Sequence, residues 1–334
     1  MRGGIKEQFD RDGYVVLEDF LTAAETEALR AAGDSLARNV PQEERKSVFA
    51  DQGRDEYFLN SGDKVAYFYE KGALSEDGSL LVEPHLALNK VGHALHEKVA
   101  PFRDVTRSER VKEVCRALGM DTPAVAQSMY IYKNPGVGGE VTPHQDASYL
   151  YMEPPEALLG FWIPLDDATL ENGCLWFIPG SHRGGVHTRF VRNPDKDSKD
   201  LLIYDRPQPT YQRNNFVPVP VPKGSLVLIH GLVVHQSDRN KSSTSRHAYT
   251  FHVVDLVRGC YAEDNWLQPN DDAPFSVLYS KSWVQQEVSK NVRVVSSSPS
   301  LCAQNRSFPP MTLRVLFDVA IGMEFRSGWV YKKC

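Results

Sequence analysis

A chain of 334 residues, 41% hydrophobic and 24% charged, has enough apolar side chains for one large core and the makeup of a globular protein, not of a fibrous or disordered one. A formal net charge of −5 and a pI near 6.1 argue against a general nucleic-acid-binding protein, and no apolar run reaches the length needed for membrane insertion. The opening "MRGGIKEQFDRDGYVVL" lacks the apolar core of a secretory signal, and the closing "YKKC" is neither a peroxisomal address nor a prenylation box, so the expected location is the cytoplasm.

In chain order, "GYVVLEDF" predicts an early strand. "LTAAETEALRAAGDSLARNV" predicts a helix, with Leu21, Leu29 and Leu36 among helix formers and Thr22 and Glu25 spaced as a capping box. "NKVGHALHEKVAPF" predicts a second helix ended by Pro101, and "SERVKEVCRALGM" a third stopped at Gly119. From residue 124 the texture changes. "VAQSMYIYK", "LLGFWIPLDD", "GCLWFIPGSH", "GSLVLIHGLVVH" and "RHAYTFHVVD" all read as strands with no long helix between them. The expectation is a mainly β fold, an antiparallel sandwich or barrel (124–280) behind a helical N-terminal part (1–123). Residues 183–222, polar and Pro-rich, read as a long loop of the kind that borders binding sites. Residues 281–334 read as a tail of unknown structure. The five cysteines, Cys115, Cys174, Cys260, Cys302 and Cys334, are odd in number and without Cys-x-x-Cys, which predicts reduced thiols.

The segment "TPHQD" carries the first chemical signal. In a strand, residues i and i+2 share a face, so His144 and Asp146 would point together with Gln145 turned away. Two donors hold a metal weakly, and the strand-rich region offers His182, His187, His230, His235, His247 and His252 as a third. His235 is favoured because Ser237 lies two residues on, and the turn-forming "SDRNKSSTS" should return the chain so that Arg246 begins the neighbouring strand. A hydroxyl and a guanidinium converging beside a metal make a socket for a carboxylate. Two histidines and one carboxylate leave coordination positions open, as in non-haem Fe(II) oxygenases. Each residue alone has a plainer explanation: a surface pair, a core histidine, a solvated strand end. His93 and His96, one helical turn apart in the predicted second helix, are a weaker metal pair with no third donor nearby.

"QSMYIYKNPGVGGEVTPHQDASYLYMEPPEALLGFWIPLDDATLENGCLWFIPGSH" and "GSLVLIHGLVVHQSDRNKSSTSRHAYTFHVV" together resemble the phytanoyl-CoA dioxygenase family, with further similarity in "YFLNSGDKVAYFYEKG" and "LNKVGHALHE". The resemblance implies a double-stranded β-helix (jelly roll) with flanking N-terminal helices, spanning 1–280 as a single domain, that uses Fe(II), 2-oxoglutarate and O2. It implies His144, Asp146 and His235 as iron ligands, Arg246 and Ser237 on the distal carboxylate of 2-oxoglutarate, and Lys90, Met129, Gln145 and Trp162 elsewhere in the co-substrate pocket. Asp146 matters further, because related iron halogenases lack this carboxylate. The implied reaction is hydroxylation of a C–H bond in a small-molecule substrate, with formation of succinate and CO2. An acyl-CoA and a free carboxylic acid are both compatible with it. The rival readings are a non-catalytic jelly-roll binding protein and a zinc hydrolase with the same three ligands, which would leave Arg246 and Ser237 without a role.

Overall fold

The computed structural model describes residues 2–44, 48 and 53–281. The expected tail lies outside them, apart from Lys281. The first elements are α1 (Arg2–Asp12), β1 (Tyr14–Leu17), α2 (Ala23–Arg38), α3 (Glu56–Leu59), β2 (Val65–Tyr69) and β3 (Leu88–His93). Then come α4 (Leu95–Lys98), α5 (Ala100–Thr106), α6 (Glu109–Ala117), β4 (Pro123–Ile131), β5 (Val141–His144), β6 (Met152–Glu153), β7 (Leu158–Pro164) and β8 (Leu175–Phe177). The remainder are β9 (Phe190–Arg192), β10 (Leu202–Tyr204), β11 (Val217–Val219), β12 (Leu226–His230), β13 (His235–Ser237), β14 (Ala248–Asp255), β15 (Cys260–Tyr261) and β16 (Ser276–Val277).

The major sheet runs β1-β12-β7-β14-β4-β3-β2, with β16 also on β4, and the minor sheet runs β11-β8-β13-β5. Their strands pair antiparallel throughout. Side-chain alternation gives the major sheet two different faces. Tyr130, Phe161, Ile163, Tyr249, Phe251 and Leu228 pack with Leu29 of α2, Phe102 of α5 and Val111 of α6, so the helices cover one face. Trp162, Val227, Ile229 and Ala248 pack instead with Leu175 and Phe177 of the minor sheet and form the inter-sheet core. A mainly β jelly roll with helices on its outer face is therefore the architecture.

Two helix predictions hold in detail. α2 starts at the Thr22–Glu25 capping box, with the Glu25 amide donating to Thr22 Oγ1 and Glu25 Oε2 accepting from the Thr22 amide. α6 ends in a Schellman arrangement: the amides of Gly119 and Met120 donate to the carbonyls of Arg116 and Cys115, and Gly119 takes φ +81°.

Other expectations need correction. The predicted helix at 89–102 is strand β3 followed by two short helices, because its first half pairs with β2 and β4 in the sheet. Pro101 lies in the first turn of α5, where a missing N–H costs nothing, so it starts a helix instead of ending one. The N-terminal part thus gives β1, β2 and β3 to the major sheet and is not simply helical. "GSLVLIHGLVVH" is two strands in different sheets, β12 and β13. The stretch 183–222 contains the antiparallel pair β9–β10 and strand β11. Cys115 and Cys174 are free and buried, but Cys260 is disulfide-bonded, against the expectation of reduced thiols throughout. No helix of the described residues is long and apolar enough to cross a membrane.

Helix α2 seats on the sheet through Gly33, where a Cβ would stand 2.0 Å from Cζ of the fully buried Tyr130. Alanine gains about 1 kcal/mol of helix propensity over glycine, but overpacking a rigid core costs about 1–3 kcal/mol. Gly33→Ala should therefore lower the urea midpoint despite improving the helix; a raised midpoint would show that α2 can lift off Tyr130 freely.

Candidate metal centre

β5 ends at His144, Gln145 continues extended (φ −111°, ψ 140°), and Asp146 opens a short 3-10 turn over Asp146–Ser148. The extended Gln145 is what keeps His144 and Asp146 on one side. β13 supplies His235, which lies directly opposite His144 in the antiparallel register, with ring centroids 4.2 Å apart. Asp146 Oδ1 is 3.7 Å from His144 Nε2 and 3.6 Å from His235 Nε2. The three side chains offer donor atoms within 4.8 Å of one another, the spacing of a metal site.

Both imidazoles are oriented from behind. His144 Nδ1 donates to the Thr142 carbonyl at 2.8 Å and His235 Nδ1 to the Val233 carbonyl at 3.1 Å. A carbonyl only accepts, so each proton is on Nδ1 and each Nε2 presents its lone pair to the cluster. Burial, reinforced by His235, lowers the His144 pKa to about 4 and keeps the ring neutral. Burial pushes the Asp146 carboxyl up, but His252, His235 and His144 outweigh it and hold the group well below the usual carboxylate range.

Arg246 and Ser237 also meet, though not by the predicted hairpin. β13 belongs to the minor sheet and β14 to the major one, so the intervening turn carries the chain from one layer to the other. Turn-forming residues signal the reversal but not the sheet it leads to. Arg246, 1% exposed, donates from Nη2 to Ser237 Oγ and from Nε to the Gly173 carbonyl, both at 3.0 Å. Its guanidinium lies 5.2 Å from the centroid of the Trp162 ring. Nη1 is buried with no partner, and no carboxylate of the described residues pairs with the group. Burial lowers its pKa to about 10, which leaves it charged at neutral pH.

Of the other expected residues, Lys90, Met129 and Trp162 lie on the inter-sheet face of the major sheet, whereas Gln145 follows β5 of the minor one. Register sets Gly92, Met129, Thr250, Trp162 and Val227 in one row across β3, β4, β14, β7 and β12. Lys90 is two residues before Gly92, hence on the same face, and it belongs to a strand and not to the predicted helix start. It is 7% exposed, with Nζ 5.3 and 5.4 Å from the ring centroids of Phe68 and Phe58, and burial lowers its pKa to about 7. Gln145 points away from the cluster as expected. Its Nε2 donates to the carbonyls of Gly185 and Leu232, and its Oε1 accepts from the His187 amide.

The remaining candidate histidines have other duties. His182 contacts the Asp10 carbonyl, His187 the Tyr211 hydroxyl, and His247 both Tyr130 and Asn134, while His230 Nδ1 accepts from the Leu232 amide. His93 and His96 bond Ser61 and Ser128 separately and join no three-donor cluster among the described residues. Lys133 near the site has no signal in the sequence, and His252, a candidate third donor by sequence, has a different place from the one considered for it. Lys133, 2% exposed, donates to the carbonyls of Gly139 and Asp238 and ties together the loops around the socket. His252 of β14 places Nε2 at 3.2 Å from Asp146 Oδ2. It is therefore a neighbour of the carboxylate and not a member of the three-donor cluster.

A jelly roll with two histidines and a carboxylate gathered between its sheets belongs to the class of folds found in non-haem 2-oxoglutarate-dependent enzymes. Among solved structures the chain is similar to the α-ketoglutarate-dependent carbocyclase SnoK from nogalamycin biosynthesis, with TM-score 0.56 and 18% identity over 83% of this chain and 96% of that one. It is also similar to EctD from S. alaskensis with 2-oxoglutarate and 5-hydroxyectoine, with TM-score 0.52 and 20% identity over 76% of each chain. The chain belongs to the phytanoyl-CoA dioxygenase family, whose model matches residues 9–248. It is 48% identical to phytanoyl-CoA dioxygenase domain-containing protein 1 of Bos taurus, covering 82% of this chain and 97% of that protein. It is 43% identical to phytanoyl-CoA dioxygenase of Arabidopsis thaliana, covering 78% and 91% respectively.

Buried neutral histidines make stability depend on pH. Burial lowers the pKa of His96 and of His230 to about 4 each, whereas the unfolded rings protonate near 6.5. The unfolded chain therefore binds more protons as pH falls below 6.5, and the fold loses at most about 1.4 kcal/mol per pH unit for each ring down to pH 4. Metal-free protein should show a urea midpoint that declines from pH 7 to pH 5. His96→Gln should flatten that decline, and an unchanged slope would remove His96 from the account.

Proposed function

We propose that this protein is an Fe(II)- and 2-oxoglutarate-dependent dioxygenase that hydroxylates a C–H bond of a small-molecule substrate and releases succinate and CO2. The observation that carries the reading is the buried Arg246 guanidinium, with Nη1 unpartnered beside Ser237 on the same strand as His235. Burying an unpaired charge is costly, and an anionic ligand would remove the cost. A zinc hydrolase has no use for such a socket. His144 Nε2, His235 Nε2 and Asp146 Oδ1 would hold the iron, and their chemistry suits a ferrous ion with open positions. Iron with bound 2-oxoglutarate and O2 would supply the oxidising power for the hydroxylation.

The chain's own residues orient and enclose. Arg246 and Ser237 would grip the far carboxylate of 2-oxoglutarate, Trp162 would pack against it, and Lys90 and Met129 would line the same inner face. Gln145 would act indirectly, by holding Gly185–His187 against the segment that bears His144 and Asp146. The His144 side chain is 18% exposed, against 8% for Asp146 and 7% for His235, and substrate would approach from that side. That side is aromatic: the Tyr149 ring lies 5.8 Å from His144 and packs with Phe190, which packs with Tyr204. An apolar acid or its acyl-CoA fits such a wall, in keeping with the relatives' name.

The deciding experiment is an anaerobic titration of metal-free protein with Fe(II) and 2-oxoglutarate, followed by the visible charge-transfer band of the chelate. The expected result is a saturable band that His235→Ala and Asp146→Ala both lose, together with their succinate production. Arg246→Ala should keep the iron but weaken 2-oxoglutarate binding roughly 10- to 100-fold, the worth of a charged hydrogen bond. A wild-type chain that binds metal yet gives no band would favour the zinc reading, and an unchanged affinity in Arg246→Ala would remove the socket.

A further inference from the structure

We propose that His252 is a positioning residue that holds the Asp146 carboxylate in a one-oxygen mode toward the metal and so keeps a coordination position open. The inference rests on the reading of His144, Asp146 and His235 as an iron site. The two carboxylate oxygens of Asp146 have different surroundings. Oδ1 faces His144 Nε2 and His235 Nε2, while Oδ2 faces away from them toward His252 Nε2 at 3.2 Å. The far side of the His252 ring fixes its proton: Gln127 Nε2 lies 3.3 Å from His252 Nδ1. An amide NH2 can only donate, so with the Gln127 amide in this orientation Nδ1 accepts and the proton sits on Nε2, 3.2 Å from an Oδ2 that is buried and has no aligned hydrogen bond in the metal-free chain. Gln127 and His252 are register partners on β4 and β14 and are both 5% exposed, so rigid sheet backbone sets the geometry.

Gly160 supplies the clearance. It is the partner of His252 on the other side, on β7, and a Cβ there would stand 2.8 Å from Asp146 Oδ2. The carboxylate thus reaches down to the floor of the major sheet from the minor-sheet side, and only a glycine lets it touch His252. With Oδ2 turned toward His252 Nε2, Asp146 offers one oxygen and the site offers three protein donors in all. A carboxylate free to rotate could chelate through both oxygens and occupy a fourth position that the co-substrates need. Partners of this kind also tune affinity, and losing one costs 10- to 100-fold in metal binding.

The test compares the full wild-type chain with His252→Leu and His252→Gln, all metal-stripped, titrated anaerobically with Fe(II). A second titration with Co(II) reads coordination number from its visible absorption. The Leu variant should bind Fe(II) roughly 10- to 100-fold more weakly, and its Co(II) spectrum should change in shape and intensity. The Gln variant keeps a donor and should recover most of both. If the Leu variant does not fold, Gln127→Leu decides in its place: it frees the ring without touching Asp146 and should shift both readings in the same direction by less. Fe(II) affinity and a Co(II) spectrum like wild type in the variant that folds would overturn the proposal alone. A wild-type chain that takes up neither metal would overturn the iron reading and this proposal with it.

Discussion

The antiparallel register of β5 against β13 is the constraint on which the site depends. It sets His144 opposite His235, with both Nε2 atoms facing one carboxylate oxygen. Strand side chains alternate with a period of two, so a slip of one residue would turn an imidazole to the far face and scatter the cluster. The strands are short, four and three residues, and their own hydrogen bonds would not hold that register. β8 supports β13 on its other side, and Gln145 fastens the chain between His144 and Asp146 to Leu232 and Gly185. The site is thus built on the minor sheet and kept in register by a neighbouring strand and by the loops that Gln145 ties to it.

Charge is arranged on the same principle. Among the described residues the acids Glu70, Asp146 and Asp255 and the bases Lys90, Lys133 and Arg246 are buried, at separate stations. Lys133 spends its ammonium on the carbonyls of Gly139 and Asp238, and Asp146 gathers three imidazoles around it. Arg246 has one nitrogen left over. In a native interior nearly every buried polar atom is paired, so an unpaired nitrogen on a guanidinium that bonds Ser237, two residues along from His235, calls for a partner from outside the chain.

How much of this was legible follows from the range of the signals. His-x-Asp could be read because Gln145 is extended, so local geometry is enough. His235 could be picked from six histidines because Ser237 and Arg246 frame it within a dozen residues. The stretch from Lys90 reads as a helix because "NKVGHALHEKVAPF" has helix formers and a proline, and only pairing with β2 and β4 makes its first half a strand. His252 was invisible as a partner of Asp146, since β14 and the 146 turn are more than a hundred residues apart and nothing local records their approach. The same holds for Gly160, whose purpose is the space that Asp146 needs.

The link from β13 to β14 has one more consequence. Ser237 belongs to the minor sheet, whereas Arg246 stands at the start of a major-sheet strand, so the two halves of the socket ride on different layers. Any sliding or breathing of one layer against the other separates them. A dianion bridging them would act as a rivet through the sandwich, and the free energy of its binding would appear also as cohesion of the two sheets. The fold would then be at its most rigid with such an anion in place.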